Sequence, residues 1–223
     1  MMIAIADFLS GDEVLRLRSI AAQGVFADGR ETAGWHARLV KQNEQLAGGA
    51  MLDEAQGIVR RAADRNGLFR SAGLPARLSP ILVSRYAPGM TYGPHVDDAL
   101  MGRGSERVRT DLACTVFLSA LEDYEGGSLV VMSPAGEHSV RLAPGQAVLY
   151  PATSLHSVEP VRSGERLAAV FWVQSLVREA EKREMLFDLE RARQAVFQRE
   201  GKSETFDLLS KSYSNLLRMW AEN

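Results

Sequence analysis

The sequence predicts an α+β protein, mainly β with flanking helices, built on a sandwich or jelly-roll barrel. Three observations carry this. From residue 79 to about 178, short runs rich in Val, Leu, Tyr and Phe alternate with Gly, Pro and Asp turns, and no helical period survives. Helical patterns precede this stretch, over 10–70, and follow it, over 178–223. The 223 residues are 46% hydrophobic and 24% charged, an ordinary globular composition that excludes collagen-like, coiled-coil and disordered classes.

Residues 3–8 read as a short strand. Ser10 and Glu13 then have the spacing of a capping box, Val14, Leu15 and Leu17 follow, and Gly24 supplies a stop, so a helix runs between them. Asp28-Gly29 marks a turn. Residues 37–46 mix apolar positions with Lys41, Gln42, Asn43 and Glu44 in a helix-compatible pattern. A second helix is expected from 51 to about 69, where Leu52, Ala55, Ile58, Val59 and Ala62 recur at three and four, with Pro75 and Pro80 closing the helical part.

Strands are expected at 80–86, 111–119, 128–132, 139–142, 147–150, 156–158 and 167–177, separated by turns such as Pro88-Gly89, Gly126-Gly127 and Pro144-Gly145. Residues 179–200 return to helix, broken by Gly201. In the last helix Phe206, Leu209, Tyr213, Leu216, Leu217 and Trp220 form an apolar stripe that must pack on its own chain or on a second copy. The division expected is 1–177 as one domain, its β core at about 79–177 with the helices of 10–70 packed on it, and 178–223 as a C-terminal helical extension.

Lys and Arg number 26 against 28 Asp and Glu, so no global field gathers nucleic acid or anionic lipid. Cys114 is the single cysteine and lies in the apolar run 112–118, which predicts a buried, inert thiol and fits the cytoplasm. No apolar stretch approaches the roughly 18 residues of a membrane span, and Asp7 stands where a signal peptide carries positive charge. A cytoplasmic protein with neither nucleic-acid nor membrane partners is the expectation.

Four histidines exist: His36, His95, His138 and His156. His95 and Asp97 stand two apart, so in an extended chain their side chains share a face and form half of a metal site. His156, late in the β region, offers a third ligand. Two histidines and a carboxylate suit the open facial triad of a non-haem Fe(II) oxygenase, or a hydrolytic Zn site. Arg166 separates the two, because a guanidinium entering an apolar strand toward a barrel interior needs an anion, and a dicarboxylate cosubstrate offers one. His36 and His138 have no partner at ligand spacing and read as surface or packing residues. Asp98 is expected on the face opposite Asp97, serving structure or substrate.

These residues resemble the metal and cosubstrate set of the Fe(II)/2-oxoglutarate-dependent dioxygenases. Tyr86-x-x-Gly89-x-x-Tyr92-x-x-His95-x-Asp97 is similar to the prolyl hydroxylase pattern, and Glu125-Gly126-Gly127-Ser128-Leu129, Pro144-Gly145 and His156 follow in the same order. The stretches beginning Arg109-Thr-Asp-Leu and Tyr150-Pro-Ala-Thr-Ser-Leu-His156 look like the bacterial PKHD-type hydroxylases, the PiuC-like proteins associated with iron uptake. The resemblance runs from about Trp35 to Val196. It implies a double-stranded β-helix core, Fe(II) on His95, Asp97 and His156, 2-oxoglutarate on Arg166, O2, and L-ascorbate (vitamin C) as supporting reductant. Tyr86 is either a second donor to 2-oxoglutarate or a core tyrosine. The activity implied is hydroxylation of an unactivated C–H with decarboxylation of 2-oxoglutarate to succinate and CO2. An Fe(II)- and 2-oxoglutarate-sensing binding protein on the same scaffold is the alternative. The substrate expected is a small molecule or peptidyl residue, and specificity is placed in loops 99–108 and 24–35. Gly102, Gly104 and Ser105 with Arg103, Arg107 and Arg109 predict a mobile, basic lid for an anionic or peptide-like substrate.

Overall fold

The computed structural model describes residues 1–102, 104 and 107–222. The N-terminal part runs β1 (Ile3–Ile5), α1 (Gly11–Gln23), β2 (Phe26–Asp28), β3 (Lys41–Gln42), β4 (Glu44–Leu46), α2 (Ala50–Arg65) and α3 (Gly67–Gly73). The middle is all strand. It begins with β5 (Pro75–Leu78), β6 (Leu82–Tyr86), β7 (Thr91–His95), β8 (Leu100–Met101), β9 (Val108–Arg109) and β10 (Leu112–Phe117). It continues with β11 (Tyr124–Gly126), β12 (Leu129–Ser133), β13 (Gly136–Val140), β14 (Ala147–Pro151), β15 (His156–Val158), β16 (Val161–Gly164) and β17 (Arg166–Ser175). Two helices, α4 (Ala180–Glu200) and α5 (Glu204–Trp220), end the chain.

Eight strands form the larger sheet, in the order β1-β14-β10-β17-β6-β4-β2 with β5 also paired to β17, and five form the smaller, β13-β12-β15-β7-β3. All pairs are antiparallel. Strand parity explains the near-continuous apolar runs of β10, β14 and β17, since both faces are buried. Leu112, Cys114, Val116, Ala147, Leu149, Leu167, Ala169, Phe171 and Val173 face a core shared with α1, α2 and α3. The alternate residues Ala113, Phe117, Val148 and Tyr150 face Leu129, Val131 and Val158 of the smaller sheet. The same parity turns Arg166 and Trp172 of β17 toward the space between the sheets. This is the jelly roll that the spacing of strands and turns predicts.

The capping box is present, with Ser10 N donating to Glu13 Oε2 at 2.9 Å and Glu13 N to Ser10 Oγ at 3.3 Å. Phe8, Phe69 and Phe171 lock the helical layer to the larger sheet, with ring centroids 5.7–6.4 Å apart; each such pair contributes about 0.5–1.5 kcal/mol beyond its buried area. The stripe of α5 packs within the chain, where Tyr213, Leu216, Leu217 and Trp220 cover Leu74, Val177 and Leu186. Cys114 is fully buried.

Two helical expectations are corrected. Residues 37–46 form one 3₁₀ turn (Ala37–Leu39) and then β3 and β4. Lys41, Asn43 and Gln45 point inward together, so the strand's buried face is polar and the period-2 signal of apolar residues is missing. The expected single helix of 51–69 is two, because Asn66 leaves helical geometry and its side chain caps α3, accepting from Phe69 N at 2.8 Å. Strand β13 lies at Gly136–Val140 rather than 139–142, paired across a tight hairpin with β12. Besides β3 and β4, strands β2, β5, β7, β8, β9, β11 and β16 are additions to the expected set.

Candidate active site

A cleft between the sheets, with an empty volume of about 790 Å³ including its mouth, is lined by Tyr86, His95, Asp97, His156 and Arg166 together. Every predicted site residue therefore reaches one space. His95 ends β7 and His156 begins β15, and the two are register partners. Asp97 lies two residues beyond β7. Its Oδ1 is 3.9 Å from His95 Nε2 and 3.8 Å from His156 Nε2, and one ligand atom from each of the three lies within 4.8 Å of the others.

Backbone carbonyls orient both rings. His95 Nδ1 lies 2.8 Å from Gly93 O, and His156 Nδ1 lies 3.0 Å from Ser154 O. A carbonyl only accepts, so each Nδ1 carries the proton and each Nε2 turns its lone pair to the shared centre. Burial, then the neighbouring His156, pushes His95 down to about 3, which keeps its ring neutral. Burial raises Asp97 above the usual carboxylate range, while His156 and Trp172 draw it back. Asp97 Oδ2 and Trp172 Nε1 do not reach full hydrogen-bond geometry, so the carboxylate is a buried acceptor with at most a weak donor and no cation beside it. The orphaned oxygen, the two inward-facing Nε2 atoms and the N2O donor set all fit a divalent first-row metal.

Arg166 opens β17 and pairs in register with Tyr86 of β6. It is 2% exposed. Its Nε has no acceptor, and among the described residues it forms no ion pair; Tyr86 and Phe117 offer ring faces at 5.2 and 5.6 Å. A buried cation so placed is a receptor for an anion. Gly127 makes room for it: at φ +63° its backbone is one that L side chains rarely adopt, and an added Cβ would stand 3.0 Å from Arg166 Cδ. Burial pushes the Tyr86 phenol up to about 12, so it stays a neutral donor facing the same space.

The Arg109-Thr-Asp segment holds this site in place. Thr110 Oγ1 donates to Asp98 O at 2.7 Å, anchoring the turn that carries Asp97. Asp111 accepts from Arg109 Nε and Nη2 at 2.7 and 2.9 Å and from Ser175 N at 2.8 Å, while Arg109 Nη1 reaches Glu222 at 2.8 Å. Arg109 is thus committed to the C-terminal extension rather than to a lid. Arg103 and Ser105 lie outside the described residues.

Asp98, expected on the face opposite Asp97, lines the cleft as well. Its carboxylate packs over Gly34, where an added Cβ would come within 2.5 Å of Oδ2, and lies 3.7 Å from His36 Nε2. His36 therefore lies beside a residue of the cleft. His138 is a surface residue beside Ser133. Sequence reasoning missed Lys41, Asn43 and Gln45, which form a polar wall of the same cleft; their alternation at i, i+2 and i+4 is the signal that could have found them.

A jelly roll holding two histidines, a carboxylate and an isolated buried arginine in one cleft defines a 2-oxoglutarate- and iron-dependent oxygenase. The family model of the 2OG-Fe(II) oxygenase superfamily matches residues 81–174, and that of the PKHD-type hydroxylase C-terminal domain matches 181–222. The chain is 50% identical, over the whole of both chains, to a PKHD-type hydroxylase of Synechococcus elongatus, and 48% identical to one of Maricaulis maris, again over the whole of both. It belongs to the PKHD-type hydroxylase family. Among solved structures, a Pseudomonas putida prolyl-4-hydroxylase shares the fold at TM-score 0.52 and 22% identity, over 78% of this chain and 92% of that one. HygX from Streptomyces hygroscopicus, solved with nickel, 2-oxoglutarate and hygromycin B, matches at TM-score 0.56 and 16% identity, over 78% and 82%. The protein is accordingly a 2-oxoglutarate-dependent dioxygenase that uses Fe(II) and O2 to hydroxylate its substrate.

Proposed function

We propose that His95 Nε2, Asp97 and His156 Nε2 hold Fe(II), that Arg166 holds the distal carboxylate of 2-oxoglutarate, and that Tyr86 donates its hydroxyl to the same cosubstrate. The observation that carries this is the pairing, in one cleft, of three converging ligand atoms with a buried guanidinium that has no anion. A hydrolytic Zn site has no use for that guanidinium. When bound, iron would supply the oxidising chemistry with O2 as oxidant, one oxygen atom going to succinate as 2-oxoglutarate loses CO2 and the other to the hydroxyl gained by an unactivated C–H.

The chain's own residues bind and orient. The Gly93 and Ser154 carbonyls fix both imidazoles, Asp97 supplies the negative ligand, and Arg166 sets the long axis of the dicarboxylate. No side chain acts as general base. Leu82, Val170 and Trp172 line the wall and limit water around the reacting groups. L-ascorbate serves as supporting reductant, the substrate is a small molecule or peptidyl residue, and the protein works in the cytoplasm without nucleic-acid or membrane partners. No helix among the described residues is long and apolar enough to cross a membrane. Residues 1–177 act as the oxygenase domain and 178–223 as an extension bolted to it through Arg109 and Glu222; the change of family model between 174 and 181 supports this division.

Anaerobic titration of the protein with Fe(II) and then 2-oxoglutarate tests the assignment. Chelation of a 2-oxo acid to Fe(II) gives a visible charge-transfer absorption. Wild type should develop it, Asp97→Ala should not, and Arg166→Ala should need far more 2-oxoglutarate. Equal spectra from all three proteins would remove these residues from their roles.

A further inference from the structure

Lys41 is an ammonium without an anion. It lines the cleft, is 5% exposed, and makes no ion pair among the described residues. Asp97 and Asp28 influence it only from beyond pairing distance, and burial draws it down to about 8, so it remains charged at pH 7. One of its three N–H donors goes to Thr32 Oγ1 at 3.1 Å, and Thr32 in turn donates to Gln45 Oε1 at 2.7 Å. Nζ also stands 5.1 Å from the centre of the Tyr92 ring, which itself stacks on His95 at 3.6 Å. The ammonium is thus held in one place beside the metal centre with donors to spare. The same wall carries Asn43, 4% exposed, whose side-chain amide meets no hydrogen bond of full geometry and interacts with the Tyr86 hydroxyl. Buried polar groups in native interiors are partnered by protein, by water or by a ligand.

The two carboxylates of 2-oxoglutarate already have partners, the distal one on Arg166 and the 2-oxo acid end at the triad, an argument that rests on the function proposed above. A second buried cation on a different wall therefore calls for a different anion. We propose that Lys41 is the specificity-determining residue for a carboxylate carried by the prime substrate, which it draws into the cleft beside the metal centre. Gln45 and Thr32 are positioning residues that set the direction of Nζ, and the substrate class is a carboxylic acid, free or at a peptide end. A carboxylate on Lys41 could come from the substrate or from 2-oxoglutarate itself, and the test separates them.

Mn(II) replaces Fe(II) as an inert paramagnetic reporter, with 2-oxoglutarate present. The probes are N-acetyl-L-alanine and N-acetyl-L-alaninamide, which differ only in the anion, and the readout is proton relaxation of their methyl groups. In wild type the acid should be relaxed far more than the amide. Lys41→Met should weaken the acid's apparent affinity about tenfold or more, the loss of a charge-assisted bond, and Lys41→Arg should restore most of it. Lys41→Met should melt no lower than wild type, because it removes a buried cation that lacks a counter-ion, and its calorimetric affinity for 2-oxoglutarate should stay within about twofold, given that the cosubstrate's charges are met elsewhere.

Equal relaxation of acid and amide, or an unchanged acid signal in Lys41→Met, would overturn the proposal. A variant that also melts lower would make Lys41 a structural residue. Weakened 2-oxoglutarate binding with unchanged probe relaxation would assign the ammonium to the cosubstrate and overturn the substrate assignment. Failure of wild type to bind Mn(II), seen before any probe is added, would defeat the metal reading, and the proposal with it.

Discussion

Arg166→Met should make the protein more stable and unable to hold its cosubstrate. Methionine keeps most of the aliphatic stem that lies over Gly127 while removing a guanidinium that is 2% exposed, unpaired, and compensated only by two ring faces at 5.2 and 5.6 Å. Those rings return about 0.5–2 kcal/mol, against an effective burial penalty of several kcal/mol for an uncompensated ion. The net gain on substitution is about 1–3 kcal/mol, which for a chain of this size raises Tm by roughly 2–12 °C. Binding moves the other way. Truncating one partner of a buried charge pair costs about 3–5 kcal/mol, or roughly two to four orders of magnitude in Kd. Differential scanning calorimetry of the Mn(II)-loaded protein reads both effects. Wild type should melt low alone and gain about 2.7 kcal/mol at 2-oxoglutarate one hundred times Kd, whereas Arg166→Met should melt high and show no such shift. A variant that melts well below wild type and keeps the ligand shift would refute the reasoning.

Three further outcomes follow from the packing. Burial drives the Cys114 thiol far above its ordinary range, so iodoacetamide at pH 8 should label it only at the rate of unfolding, and rapid native labelling would contradict its placement. Asp111→Ala removes two of the Arg109 acceptor contacts and the acceptor of the Ser175 amide at once, which should cost about 2–4 kcal/mol in denaturant unfolding; a change under 0.5 kcal/mol would mean that water replaces the network. Lys41 has its native pKa drawn down to about 8 by burial, below the roughly 10.4 of an unfolded lysine. Between those values the unfolded chain binds more protons, so the contribution is absent below pH 8 and present above 10.4. Wild type should gain on the order of 2–3 kcal/mol relative to Lys41→Met across that window, and a flat difference would show that the ammonium is not desolvated.

The β core and the triad were readable from sequence because each rests on a local signal. Apolar runs cut by Gly and Pro mark β10, β14 and β17; Arg166 is a residue type with little reason to open such a run, and His95 and Asp97 stand at the two-residue spacing that lets side chains converge. The first strands of the cleft were not readable. The inward face of residues 41–45 is Lys, Asn and Gln, so a pattern search built on apolar alternation sees polar helix where the fold has strand. That face is polar because it lines the cleft, and local rules fail where function overrides them. Asn66 hid a helix break by acting as cap within an otherwise helical composition. Asp98 and His36 are brought together only by the tertiary fold, which no sequence spacing encodes.

The measurement closest to the central claim is succinate release from anaerobically Fe(II)-loaded protein on addition of 2-oxoglutarate, O2 and ascorbate, comparing wild type with Asp97→Ala and Arg166→Ala. Such oxygenases turn over slowly even without their prime substrate. The account predicts succinate that requires Fe(II), disappears in Asp97→Ala, and in Arg166→Ala returns only at far higher 2-oxoglutarate. Succinate formed equally by all three proteins, or none from wild type with Fe(II) and 2-oxoglutarate bound, would contradict it, the latter favouring a sensor on the same scaffold.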